Sequence, residues 1–186
     1  MYLDVETTGL DSKLHDIVEI AVLVEIDYEI VEEKCWTVQP FSYSNVSPDA
    51  LRLTGKTVEL LKTYPDPHQV YVEFIEFLSK YCSRYDRSDK FAIAGYNVAF
   101  DTRFLREWFL KNGDSYYNSW FSNRDIDVMS LVYFLRYKGQ LTLPNYKLAT
   151  VALSYNLDIQ AHSSLSDVKA VRELLLKFSN LFGGKQ

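Results

Sequence analysis

Asp4-Val5-Glu6-Thr7-Thr8-Gly9, following the apolar start Met1-Tyr2-Leu3, is the stretch on which the fold turns. Alternate side chains of an extended strand point the same way, so Asp4 and Glu6 emerge together. Two acids leaving one side of an apolar strand are costly unless a cation neutralises them. A hard divalent ion such as magnesium would do so, because it takes oxygen ligands. Thr7-Thr8-Gly9 adds hydroxyls, backbone amides and a flexible residue where a ligand could approach. The same pair also fits a solvated strand end, and strand geometry alone favours that plainer reading.

Working outward, Ile17 to Ile26 is a longer strand rich in Val and Ile, interrupted by Glu19. A third strand at about 29–39 follows the Asp27-Tyr28 turn, which predicts a meander. Pro48 and Asp49-Ala50-Leu51-Arg52-Leu53, stopped by Thr54-Gly55, read as a short helix. Pro67 opens an amphipathic helix with Val70, Phe74, Phe77, Leu78 and Tyr81 on one face. The polar run 83–90 is a surface loop, and Phe91-Ala92-Ile93-Ala94 a buried strand. Gly95-Tyr96-Asn97 leads into a helix marked by Phe100, Phe104, Leu105 and Trp108 and ended by Gly113. Residues 112–123 read as a loop with exposed aromatics, and helices are expected near 128–137, 145–155 and 165–182. Strands first, then strands alternating with helices, is an α/β layout with a mixed sheet.

A chain of 186 residues, 47% hydrophobic, suits one compact domain over residues 1–186. A formal net charge of -5 is not the footprint of a protein that coats duplex DNA. Any nucleic-acid contact should therefore be local and metal-assisted. Cys35 and Cys82 have no metal-type spacing, which predicts a reduced, cytoplasmic setting without disulfides. No apolar run approaches the ~20 residues of a membrane span, and the start lacks a basic stretch followed by an apolar segment. A soluble, untargeted protein with no membrane partner is expected.

Three segments carry the chemistry. Asp101 stands at the entry of a helix, where by itself an acid complementing the helix dipole is the simpler account. His162-Ser163-Ser164-Leu165-Ser166-Asp167 places a histidine in a loop and an acid in the first turn of the last helix. Ser164 with Asp167 also resembles a capping box. It is the joint occurrence, in this order, that shifts the balance toward chemistry.

Asp4-Val5-Glu6-Thr7-Thr8-Gly9, Asn97-Val98-Ala99-Phe100-Asp101 and His162-x-x-x-x-Asp167 together resemble the three motifs of the DEDD exonuclease superfamily, in its His-containing branch. That branch includes epsilon-type proofreading subunits of DNA polymerase III, ribonuclease T and oligoribonuclease. The similarity spans about residues 1–180. It implies a ribonuclease H-like fold, a mixed five-stranded sheet flanked by helices, with two divalent metal ions, Mg2+ or Mn2+. By position, Asp4, Glu6 and Asp167 would hold the first ion, with Asp4 and Asp101 serving the second. His162 would be the general base. Two ions about 3.5–4 Å apart can stabilise both the attacking and leaving oxygens of an in-line displacement, and a histidine near its ordinary pKa can take a proton at neutral pH.

Secondary positions fit less closely. Leu51-Arg52-Leu53-Thr54-Gly55-Lys56-Thr57 is similar to a family segment ending Gly-Ile-Thr, with Lys56 where Ile is usual. Thr7, Thr8, Leu53, Thr54, Asn97 and Phe100 are the candidate substrate contacts. Leu53 and Phe100 would wall the terminal nucleotide by apolar stacking, although both also fit a core, and Phe100 leans that way. Asn97 would cap or orient the second motif, Asp125 and Asp127 would cap the next helix, and His15 and His68 read as exposed polar residues. The expected activity is 3′-to-5′ hydrolysis of single-stranded DNA from its 3′ end, releasing 5′-mononucleotides, with DNA placed ahead of RNA. The rivals are an exoribonuclease of ribonuclease T or oligoribonuclease type, and a non-catalytic nucleic-acid-end binder. A polymerase partner and a homodimer both remain open.

Overall fold

The computed structural model describes residues 1–159 and 163–182. Three antiparallel strands open the chain, β1 (Tyr2–Thr7), β2 (Ile17–Ile26) and β3 (Glu29–Thr37). The β2–β3 turn needs two left-handed residues, supplied by Asp27 (φ 51°) and Tyr28 (φ 67°). Three helices follow: α1 (Pro48–Thr54), capped by Ser47 and stopped by left-handed Gly55; α2 (Val58–Leu61); and α3 (Pro67–Ser79), capped by Asp66. Then come β4 (Ala94–Gly95), α4 (Val98–Lys111), β5 (Ile126–Asp127), α5 (Val128–Tyr137), α6 (Leu148–Ser154) and α7 (Ser164–Phe182).

The sheet runs β3-β2-β1-β4-β5, antiparallel through β1 and parallel beyond it. The order of the elements predicts a mixed sheet, and its five strands are the number that the family resemblance implies. Alternation along β1 divides the molecule. Leu3 and Val5 face a core built with Phe74, Phe77, Phe104 and Trp108 of α3 and α4. Tyr2 faces a second core built with Val132 of α5, Val151 of α6 and Val168 and Leu174 of α7. The first core is aromatic: Phe74, fully buried, stands edge-on to Trp36 (5.3 Å between ring centres) and to Trp108 (5.6 Å).

The structure corrects the sequence reading at several points. Of Phe91-Ala92-Ile93-Ala94 only Ala94 enters a strand, and Phe91 makes an isolated bridge to Phe121. The loop 112–123 exposes Tyr116 but buries Tyr117, Trp120 and Phe121. A 3-10 turn over Tyr117–Ser119 folds beneath α4, so that Tyr117 packs on Phe109 (5.5 Å) and Phe121 (4.6 Å). These aromatics lack a helical or strand period because they fill a space that other elements leave. The expected helix at 145–155 is shorter because the Asn145 side chain accepts from Lys147 N–H and holds a turn before it. Cys35 and Cys82 are free thiols, and among the described residues no helix is long and apolar enough to cross a membrane.

Because Phe74 joins β3, α3 and α4 in one edge-to-face cluster, Phe74→Ala should cost roughly 3–5 kcal/mol in urea denaturation. A loss below about 1 kcal/mol would mean that the cluster repacks without it.

Candidate active site

The site forms where β4 leaves β1. The two strands pair only at Tyr2 and Ala94, so the later N–H groups of β1 are not consumed by a parallel neighbour. A side chain on Gly95 would begin 3.1 Å from the Leu3 carbonyl oxygen, so the chain passes β1 at a distance that suits glycine. Asn97 then turns through a left-handed conformation (φ 64°, ψ 42°), its N–H donating to the Asp127 carboxylate at 2.9 Å, and α4 begins. One turn into α4, the buried Asp101 carboxylate accepts from Val5 N–H at 3.0 Å. A side chain thus takes the hydrogen bond that a longer β4 would have made, and it sets an acid against the centre of β1.

Asp4 and Glu6, both half-buried, leave β1 on the face covered by α7. Burial holds the Asp4 carboxyl well above the usual carboxylate range, and the charges of Asp101, Asp167, Glu6 and Glu19 push it further the same way. Burial likewise raises Asp101, against the opposing effect of the Val5 N–H bond. The structure thus brings Glu6, Asp101 and Asp167 within electrostatic reach of Asp4. It adds Glu19, which faces Glu6 across the β1–β2 ladder. Among the described residues no three His, Cys, Asp or Glu side chains already stand together as a closed metal cage. The donor set fits a hard divalent ion all the same, since it is made wholly of carboxylate oxygens whose mutual repulsion a cation would relieve.

The neighbouring positions divide by what their side chains touch. The Thr7 hydroxyl donates to the Gly9 carbonyl (2.7 Å) and Thr8 Oγ1 accepts from Asp16 N–H (2.9 Å), so both hydroxyls serve the turn. Gly9 is small for a reason other than flexibility, since a side chain there would meet the His15 ring at 2.2 Å. His15, whose Nδ1 lies 3.1 Å from Asp11 N, is therefore a packed turn residue; His68 is exposed as expected. Asn97 occupies the cap position of α4 without a side-chain capping bond, so it shapes the entry through its backbone. Asp127 caps α5 through Met129 N–H and Ser130, whereas Asp125 is exposed ahead of β5. Ser163, not Ser164, caps α7, accepting from Ser166 N–H at 3.3 Å. His162 lies outside the described residues.

Beside Glu6 opens a cleft of about 310 Å³, walled by Thr7, Leu53, Thr54 and Phe100, with Leu10 at its edge. Leu53 is 69% and Leu10 83% exposed, although both are apolar. Phe100 does both jobs allowed to it, packing on Phe104 (4.8 Å between ring centres) and lining the cleft. Thr8 and Asn97 do not line it.

The exonuclease family represented by ribonuclease T matches residues 1–175. The chain belongs to this exonuclease family. This is a family of DEDD-type nucleases. Among similar proteins, the PolC-type DNA polymerase III of Thermotoga petrophila is 29% identical over 178 residues, 95% of this chain but 11% of that polymerase. The chain thus spans about a tenth of the length of such polymerases. Ribonuclease T of Actinobacillus pleuropneumoniae is 23% identical over 183 residues, 96% of this chain and 82% of that enzyme. A zinc-bound complex of Escherichia coli exonuclease I with single-stranded DNA superposes with a TM-score of 0.77 at 18% identity, over 97% of this chain and 40% of that one. The common fold is the ribonuclease H-like one.

The raised carboxyls give a pH prediction of definite sign. An acid whose folded pKa is raised stabilises the fold only while protonated, so that stability is lost as pH rises through the folded value. Asp101→Asn keeps an acceptor for Val5 N–H and removes the charge. In chelator at pH 8 the variant should melt above the wild type, with the gap closing toward pH 5, as read by circular dichroism. A gap that widens toward acid would show that Asp101 is stabilised as the anion.

Proposed function

We propose that this chain removes nucleotides one at a time from the 3′ end of single-stranded DNA, using two divalent cations, Mg2+ or Mn2+. The observation that carries this reading is the convergence of Asp4, Glu6, Asp101 and Asp167 on the end of β1, next to an apolar cleft. Asp4, Glu6 and Asp167 would hold one ion, and Asp4 and Asp101 the other. When bound, such ions supply the positive charge that stabilises both oxygens of an in-line phosphodiester displacement.

The residues of the chain do the rest. Leu53 and Phe100 receive the terminal nucleotide, since apolar and aromatic faces accept any base without reading its sequence. An imidazole can accept a proton at neutral pH, and His162 would take it from the attacking water. The carboxylates repel the polyanion when bare, which makes binding of substrate dependent on the cations in a protein of net charge -5. Single-stranded DNA is favoured because the exonuclease I complex contains it and because the PolC-type relatives are DNA polymerases. A proofreading role beside a polymerase follows from the same relatives, and the exonuclease chain would act as one domain over residues 1–186.

A second reading has its own support. Ribonuclease T is covered over 82% of its length, so an enzyme of that size and kind is also a match. Equal labelled DNA and RNA oligonucleotides, incubated with Mg2+, Mn2+ or chelator, separate the two. Faster loss of RNA would put the exoribonuclease first. Asp4→Ala and Asp167→Ala should abolish hydrolysis while the far-ultraviolet spectrum stays unchanged. His162→Ala should slow it by about 10²–10⁴-fold, the usual share of a general base, and an unaltered rate would remove His162 from the mechanism.

A further inference from the structure

Lys56 stands where the resembling segment has an apolar residue, and the structure shows what it does there. Its ammonium lies 2.8 Å from one oxygen of Glu19, with only 9% and 13% of the two side chains exposed. The other Glu19 oxygen accepts from the hydroxyl of Ser164, which is fully buried. Ser164 is the first residue of α7, Asp167 lies one turn later, and Glu19 faces Glu6 across the ladder. Both Glu19 oxygens are thus engaged. Without the Lys56 cation it would add a further negative charge beside Glu6 and Asp4, where it already acts on Asp4.

Ser164 is available for this bond because Ser163 performs the capping, through Ser166 N–H and Asp167 N–H. Residues three apart on a helix are neighbours on its surface, so holding Ser164 fixes the direction in which Asp167 leaves α7. We propose that Lys56, Glu19 and Ser164 form a positioning clamp, tying the start of α7 to β2 so that Asp167 is presented to Asp4 and Glu6. None of the three touches substrate in this role. The catalytic consequence rests on the function proposed above, whereas the mechanical one does not.

Two variants separate positioning from stability. Ser164→Ala keeps the Lys56–Glu19 pair and cuts the tie to α7. The double change Glu19→Gln with Lys56→Met removes both charges yet leaves an amide oxygen to accept from Ser164, an exchange that buried ion pairs often tolerate. Both are compared with the wild type well below their melting temperatures, by calorimetric titration with Mn2+, by kcat and KM on a short DNA oligonucleotide, and by amide exchange at residues 164–168. Ser164→Ala should lose roughly 10–100-fold in Mn2+ affinity and in kcat, as outlying partners of metal ligands do, with KM changed less than about twofold and faster exchange in the first turn of α7. The double variant should stay close to the wild type in all three. Wild-type Mn2+ affinity and exchange in Ser164→Ala would overturn the clamp, as would a double variant as impaired as Ser164→Ala. If the wild type degrades no nucleic acid while Ser164→Ala still loses Mn2+ affinity and first-turn protection, the substrate reading fails and the clamp stands.

Discussion

Carboxylates that repel one another at the end of a central strand are the constraint around which this protein is built. Asp4 is pressed by burial and by four neighbouring acids, and Asp101 is buried almost completely. Such a cluster opposes folding at neutral pH, so the surroundings must hold it by force of packing. The position of β1 provides that force, since it lies between β2 and β4 with an apolar core on each face.

Each acid arrives by a different route, and the routes explain the local structure. Asp4 and Glu6 come from strand alternation. Asp101 comes from a helix that starts as soon as β4 has passed β1, and its hydrogen bond to Val5 replaces sheet pairing. Asp167 comes from the first turn of α7, whose entry is held by the Ser163 cap and by the bond from Ser164 to Glu19. Lys111 and Asp16, 2.6 Å apart, join the end of α4 to the turn before β2 and so brace the same region from behind. The cluster is therefore assembled from three elements whose geometry is set by contacts outside it, which is how strained sites persist in stable folds.

Much of this was legible beforehand, because the signals were local. The β2 run, the Asp27-Tyr28 turn and the helices at Pro48, Pro67 and 128–137 follow from period and punctuation, and the structure has them. The buried aromatics at Tyr117, Trp120 and Phe121 were not legible, since a loop carries no period to reveal which side chains turn inward. Gly9 invited a reading as a flexible ligand contact, and it proved to be a seat for the His15 ring. Glu19 was visible as a polar break in an apolar strand, yet its partners lie 37 and 145 positions away in the chain.

By itself, then, the sequence determined the element types, the mixed sheet and the pairing of Asp4 with Glu6, because these rest on alternation and on neighbours close in the chain. It also carried the three ordered motifs that mark the exonuclease family. Only the tertiary structure decided that Asp101 would bond to the backbone of β1, that the hydroxyls of Thr7 and Thr8 would be spent on a turn, and that Lys56 would pair with Glu19. The reason is physical: those outcomes depend on which unpaired N–H, carboxylate or ammonium two distant segments bring together, and that is settled by packing rather than by period.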